Sequence, residues 1–189
     1  RVVWWTVVGF GGTGTWVYTY NDGSGWTAPI STDIGEYDDF SYVYVAFVDS
    51  THLLLGGEVV GGTDPDPGDF HAAIARLTLG QPLGPLTVLR ADATEALEGV
   101  EDVWLEPSTQ TFHVVVHDYQ ADRVAWLAIP ATWTDGVEPL ADGIFVDAFR
   151  ARFVESAAGA LHLVVGAEDG ETSPAIRIFD STVNAAEAP

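Results

Sequence analysis

Residues 161–167 read LHLVVGA, and closely related stretches occur three more times in the chain. They are WWTVVGF at 4–10, THLLLGG at 51–57 and FHVVVHD at 112–118. Each has His or Trp in second place, followed by a triplet of mostly β-branched or Leu residues, which favour strands. The last two intervals between the stretches are 61 and 49 residues. Such a period indicates propeller blades or a solenoid, in which each unit buries its faces against its neighbours.

The segments that precede these stretches also repeat. FVDS at 47–50, WLEPS at 104–108 and FVES at 153–156 each place an acidic residue and a turn residue after an aromatic–aliphatic pair. Each repeat therefore contains one strand, a turn and a second strand, which predicts an antiparallel hairpin.

Continuing the pattern in both directions gives four units, at about 1–40, 41–92, 93–142 and 143–189. Each unit is predicted to contain four short antiparallel strands, and the whole chain, 1–189, to form a single all-β propeller domain of about four blades. The fourth strand of the third unit is expected at 133–140, and one continuous strand at 144–155.

Many predicted strands are apolar on both faces, for example TFHVVV at 111–116 and RVAWLAI at 123–129. Both faces of such a strand must be covered. Blades packed between neighbours meet this condition, whereas a parallel α/β sheet needs crossover helices, and no segment has a sustained helical period.

The two terminal units are expected to be incomplete, because the first lacks a first strand and the last has a weak fourth one. Two arrangements are open. The blades close on themselves by sharing a blade between the termini, or the chain belongs to a larger ring or is completed by another chain. The sequence starts at Arg1 without Met, which we interpret as a processed or excised piece.

Composition excludes several classes of function. The chain has 28 acidic residues against 7 basic ones, all Arg, and a formal charge of −21, which disfavours nucleic-acid binding. This charge would attract cations or a basic partner, while the simpler interpretation is solubility or adaptation to high salt. Cysteine is absent, so disulfides and thiol chemistry are excluded. No apolar run approaches the ~18 residues of a membrane helix.

The hairpin TYNDGSGW at 19–26 resembles a degenerate Asp-box, S/T-x-D-x-G-x-T/S-W/F. Thr19, Gly23 and Trp26 match the pattern, whereas Asn21 and Gly25 depart from it. The chain is thus similar at repeat level to secreted bacterial propellers of the sialidase-like, BNR-repeat kind. A weaker resemblance, through DAF at 147–149, is to hemopexin-like four-bladed propellers. These resemblances imply an extracellular or cell-surface protein.

Two groups of residues are candidate binding sites. Exposed aromatic side chains bind sugars or proteins, and the aromatic-rich N-terminal part offers the ligand-binding candidates Trp4, Trp16, Tyr18 and Trp26; the alternative is core packing. Asp64, Asp66 and Asp69 lie on a loop with two prolines, and this set suits the oxygen preference of Ca²⁺. The alternative there is a solvated rigid turn.

The histidines are predicted to have structural roles. His52, His113 and His162 recur at one repeat position, which indicates packing and hydrogen bonding. His113 and His117 lie four residues apart, or roughly 13 Å on a strand, too far to share one metal ion.

No catalytic residue is assigned. Sialidase-like catalysis would need an arginine triad, a tyrosine nucleophile with a glutamate partner and an acid, and the chain has only seven arginines and no FRIP-like segment. The leading prediction is a non-catalytic secreted or surface module that binds protein or glycan, or serves as a scaffold. The alternatives are a fragment of a glycoside-active, sialidase-like enzyme, and a self-associating structural subunit of an extracellular assembly.

Overall fold

The computed structural model describes residues 2–8, 14–61, 70–90, 97–118, 123–133, 144–146, 148–156, 161–169 and 173–180. Within these ranges the chain is all-β, with fourteen strands in four antiparallel sheets and no helix. Consequently, the described residues include no helix able to span a membrane.

Each sheet is a meander in which strands that follow one another in the chain are neighbours. The first sheet consists of β1 (Val2–Val8), β2 (Thr15–Asn21) and β3 (Ile30–Asp33). The second consists of β4 (Tyr37–Phe47), β5 (His52–Gly61), β6 (Phe70–Thr78) and β7 (Thr87–Val88). The third consists of β8 (Gly99–Glu106), β9 (Thr111–Asp118), β10 (Arg123–Pro130) and β11 (Ile144–Val146). The fourth consists of β12 (Ala148–Glu155), β13 (Leu161–Asp169) and β14 (Ser173–Asp180).

Both faces of the two middle sheets are buried. Side chains of a strand alternate between its faces, and in β5 Leu53 and Leu55 pack on the first-sheet side while Leu54 packs on the third-sheet side. In β9, Val114 and Val115 likewise enter different core clusters. This explains why the strands read as continuous apolar runs.

The core lies in three layers between successive sheets. One layer joins β2 to the second sheet, with Trp16, Tyr18 and Phe40 at most 1% exposed. A second joins the second and third sheets around Ile74 and Phe112. A third joins the third and fourth sheets around Val115, Trp126 and Leu163.

Three of the four recurring sequence stretches occupy equivalent strands. These three form β5, β9 and β13, each the second strand of its meander, whereas the first stretch forms β1. In the first sheet the motif strand is therefore an edge strand among the described residues.

The structure corrects one predicted boundary. Residues 144–155 form two strands rather than one: β11 pairs with β10 in the third sheet, and β12 opens the fourth. The edge strand beside β10 is thus β11; the predicted strand at 133–140 falls largely outside the described residues, and Trp133 lies in a turn. The sequence did not show this division because only Asp147 separates the two strands and no Gly or Pro marks a turn between them.

Candidate functional site

The first strands of the second, third and fourth sheets share an irregularity. Their pairing register shifts at 41–44 in β4, at 100–102 in β8 and at 148–150 in β12. Such bulges leave a residue unpaired and redirect side chains, and they are frequent beside functional sites. β4 packs against β8, and β8 against β12, so the irregular segments are brought into one region.

A pocket of about 330 Å³ lies where these segments meet. We call it the bulge pocket, and its lining residues are Tyr42, Tyr44, Glu58, Phe70, Val100, Glu101 and Arg150. They come from β4, β5, β6, β8 and β12, so three sheets contribute to it. Its walls combine aromatic rings, two carboxyl groups and a guanidinium.

Glu101 is the buried anion of the pocket, with 2% of its surface exposed. Arg150 Nη1 lies 3.3 Å and Arg152 Nη1 lies 3.1 Å from its carboxylate oxygens. Arg152 also donates to the Glu101 carbonyl and to the Tyr44 hydroxyl, and its guanidinium lies 5.4 Å from the Tyr44 ring centre. A buried carboxylate needs such partners, and both arginines of the site are engaged with it.

Asp102, next to Glu101, joins the third and fourth sheets. Its carboxylate accepts hydrogen bonds of 2.9 Å from the backbone N–H groups of Val103 and Phe153. Burial raises the pKa of Asp102, and those two hydrogen bonds oppose the shift. Asp102 therefore fixes the position of β12 relative to β8.

Glu58 is a carboxyl group of the pocket with a raised pKa. Burial, together with the nearby carboxylates of Glu101 and Asp39, raises its pKa to about 7. Among the described residues, no cationic side chain pairs with it. A carboxyl group with a pKa near neutrality can exchange a proton at physiological pH.

The aromatic rim of the pocket is open to solvent. Tyr42 is 70% exposed and Phe70 is 48% exposed, whereas large hydrophobic side chains are usually covered. Tyr42 has a φ of +48°, a conformation that is costly for a bulky side chain and recurs at functional sites. The bulge in β4 thus holds an aromatic ring outward at the mouth of the pocket.

Two of the predicted aromatic site residues lie in the core. Trp16 and Tyr18 are each 1% exposed and pack against the second sheet. The Tyr18 hydroxyl donates to the Gln81 carbonyl at 2.6 Å and accepts from Gly80 N at 2.9 Å. Burial raises the pKa of Tyr18. A ligand-binding surface on these two rings is excluded by this burial, and core packing, the alternative considered above, describes them.

The other two aromatic candidates have different positions. Trp26 is 55% exposed and ends the β2–β3 hairpin, where it forms a bridge with Asn21. Trp4 pairs with Thr19 through the backbone of β1, and its side chain lies outside the described part. Trp26 is not among the residues that line the bulge pocket.

The predicted calcium ligands Asp64, Asp66 and Asp69 lie outside the described residues. Within the described ranges, no group of three His, Asp or Glu side chains is arranged to hold a metal ion.

The repeat histidines differ in their surroundings. His113 is buried and accepts a hydrogen bond of 3.0 Å from Trp126 Nε1 through Nδ1, and burial lowers its pKa. His52 is exposed and lies 2.7 Å from the Asp49 carboxylate, which caps the turn before β5. His113 and His52 thus pack or hydrogen-bond, as their repeat position predicts.

A second pocket, of about 380 Å³, lies between the β3–β4 turn and the loop at 83–86. Its lining combines aliphatic residues of the 83–86 loop with Asp33, Glu36 and Tyr37, and the Thr32 hydroxyl there accepts a hydrogen bond from Leu83 N. It lacks the exposed aromatic rim of the bulge pocket.

Sequence reasoning did not find the residues of the bulge pocket. One signal was available: Glu58 and Glu101 are charged residues inside strands whose neighbours are buried on both faces. A charge at such a position needs a partner or a function. That these two strands meet β12 and its arginines depends on the tertiary structure.

Comparison with known proteins does not assign this chain to a family. No family model matches it. No curated protein sequence matches it significantly either.

Proposed function

We propose that the four sheets are blades of a β-propeller, either closed or part of a larger ring. Three features support this arrangement: each sheet is a meander, the core lies between successive sheets, and the first strands β4, β8 and β12 pack side by side. The Asp-box-like hairpin between β2 and β3 is the basis of the resemblance to secreted propeller repeats, and an extracellular location is part of the proposal.

We propose further that the protein is a binding module that recognises a glycan in the bulge pocket. The observation that carries this proposal is the pair of exposed rings, Tyr42 and Phe70, beside the polar groups of Glu58, Glu101 and Arg150. Aromatic faces pack on the apolar faces of sugars, and carboxylate and guanidinium groups hydrogen-bond their hydroxyls. A few polar groups within a mostly pre-formed pocket are typical of small-ligand sites.

A glycan array probed with the wild type and with the double variant Tyr42→Ala/Phe70→Ala tests this function. We expect the wild type to bind a restricted set of glycans and the double variant to lose at least tenfold in affinity, since an aromatic contact contributes about 1 kcal/mol or more. Trp26→Ala is the matched control, because Trp26 is an exposed ring away from the pocket. Equal binding by all three proteins would contradict the proposal.

Glycoside hydrolysis is the second candidate function, and the two carboxyl groups of the pocket favour it. Glu58, with a pKa near 7, is suited to donate a proton, and Glu101 lies in the same pocket. Aryl-glycoside assays of the wild type and of Glu58→Gln test it. Turnover that disappears in the variant would support hydrolysis, and its absence across a substrate panel would leave binding as the function.

Association of the chain with itself or with a partner is a further proposal. The first and fourth sheets have three strands each among the described residues, and edge strands can pair with another chain. Light scattering of the native protein tests it: a stable assembly would favour the structural-subunit alternative, and a monomer would oppose it.

A further inference from the structure

We propose that the group held in the bulge pocket is an alkylammonium, with Glu58 as its counter-ion. This inference rests on the proposed binding function and specifies its ligand class: an amino sugar with a free amine, or a lysine side chain.

The charges of the pocket are unbalanced. The side chains around Glu58 that carry charge or titrate are Asp39, Tyr42 and Tyr44 from β4, Glu101 from β8, and Arg150 from β12. Arg150 and Arg152 are both engaged with Glu101. Glu58 is therefore left beside two other carboxylates without a cation of its own among the described residues.

The chain has few cations to supply. It has no Lys, and two more of its described arginines are committed elsewhere. Arg76 donates to Ala131 and Trp133 carbonyls and lies 4.0 Å from the Trp133 ring centre, and Arg123 binds Asp118 at 2.7 Å. Among the described residues no arginine side chain is placed to pair with Glu58, so a ligand's ammonium group can serve as its counter-ion.

The aromatic rim suits such a ligand. A cation within about 6 Å of an aromatic face is attracted by the ring, more strongly where water is excluded. Tyr42 and Phe70 present open rings beside Glu58, and Tyr44 already contacts a guanidinium on one side. A carboxylate with flanking rings is a suitable setting for an ammonium group, whereas a neutral sugar offers Glu58 no counter-ion.

Attraction of a cationic ligand to the whole negative surface must be distinguished from its contact with Glu58. A net charge of −21 attracts every cation to the whole surface. Glu155→Gln removes a carboxyl group, as Glu58→Gln does, but from an exposed position in β12 about 16 Å along the strand from Arg150. A difference between these two variants therefore reports the pocket alone.

The test is calorimetric titration at pH 7 with chitotetraose in its fully acetylated and fully deacetylated forms, which differ only in the amines. We expect the wild type and Glu155→Gln to bind the deacetylated form about tenfold more tightly, and Glu58→Gln to lose that preference. Penta-lysine, the third probe, distinguishes the source of the ammonium group. If penta-lysine is the only probe that binds, and Glu58→Gln weakens its binding more than Glu155→Gln does, the inference stands and the ligand is a protein rather than a glycan.

Three results would overturn the inference. Binding of the acetylated form with no gain on deacetylation would leave the glycan function intact and remove the alkylammonium assignment. If Glu58→Gln and Glu155→Gln reduced the preference for the deacetylated form equally, that preference would come from general attraction to the negative surface. Absence of binding by all three probes would refute the inference, and the glycan array would then decide the proposed function separately.

Discussion

The side chain of Glu58 lies in a strand whose other residues are mostly buried and apolar. Its raised pKa of about 7, against 4.5 for an ordinary Glu, means that the folded protein binds this proton more tightly than the unfolded chain does. The stability that this group contributes is fully present below pH 4.5 and is lost as the pH rises through about 7.

We therefore expect the unfolding free energy of the Glu58→Gln variant to depend less on pH than that of the wild type. Between pH 5 and pH 8, the wild type should lose about 1–2 kcal/mol more unfolding free energy than the variant, after allowance for solvent screening of a half-buried group. Urea unfolding at the two pH values measures this difference, with Glu155→Gln as control. An equal loss in wild type and Glu58→Gln would show that Glu58 titrates normally.

The burial of individual side chains was the hardest feature to predict from the sequence. Trp16 and Trp26 belong to the same aromatic-rich segment, yet one is 1% and the other 55% exposed. Their difference arises because β2 packs against the second sheet, whereas Trp26 lies at the end of a hairpin. Periodicity identifies which residues share a face of a strand, and tertiary packing decides whether that face is covered.

At the scale of single elements, the adjacent glycines of β5, Gly56 and Gly57, allow close approach to neighbouring strands. A Cβ at position 57 would lie 2.7 Å from the Ser41 carbonyl oxygen and 2.8 Å from Phe40 Cε2. A Cβ at position 56 would lie 2.7 Å from Val103 Cγ1, a side-chain atom that can move. Gly57 thus leaves room for the β4 bulge that carries Tyr42.

We expect Gly57→Ala to destabilise the protein more than Gly56→Ala, by about 2–3 kcal/mol against about 1 kcal/mol, because backbone yields less than a side chain. Chemical denaturation of both variants measures the difference. If the two variants lost the same free energy, the close contact with the bulge would not be the constraint on position 57.

The two arginines of β12, Arg150 and Arg152, are predicted to differ in how much they stabilise the fold. Arg152 contacts the Glu101 carboxylate, its carbonyl and the Tyr44 hydroxyl, whereas Arg150 contacts the carboxylate alone and its side chain is 67% exposed. Arg152→Ala should cost about 2–3 kcal/mol, because a buried carboxylate loses its main partner, and Arg150→Ala less than about 1 kcal/mol. Thermal unfolding in parallel tests this order, and the reverse order would contradict it.

Strands were the most predictable level. The motif stretches, the acidic turns and the apolar runs marked the positions of β5, β9 and β13 because each carries a local signal. The acidic turn has a visible cause: Asp49 accepts hydrogen bonds from Thr51 N and His52 N, and Glu106 accepts them from Ser108 and Thr109. The division at position 147 and the three bulges have no such signal, since both depend on how adjacent sheets fit together.

For the whole molecule, the charge of −21 is the dominant electrostatic feature. Mutual repulsion of surface carboxylates destabilises the folded state, and salt screens it over a shorter distance as its concentration rises. We expect the melting temperature to rise by about 5 °C between roughly 50 mM and 1 M KCl. Differential scanning calorimetry checks this, and an unchanged or lower melting temperature would show that repulsion contributes little.

The four-sheet organisation follows from the repeat, because a unit with two apolar faces needs a neighbour on each side. The packing of β4 against β8 and of β8 against β12, which opens the three strands into one pocket, does not follow from the repeat. The binding proposal therefore depends on the arrangement of the sheets as much as on Tyr42, Glu58 and Phe70.

A crystal structure of the protein with the tightest ligand from the glycan array tests this account most directly. We predict a sugar packed between the Tyr42 and Phe70 rings, with a polar group within hydrogen-bonding distance of Glu58. A ligand bound at the Trp26 hairpin or in the pocket between 32–37 and 83–86, with the bulge pocket empty, would contradict the account.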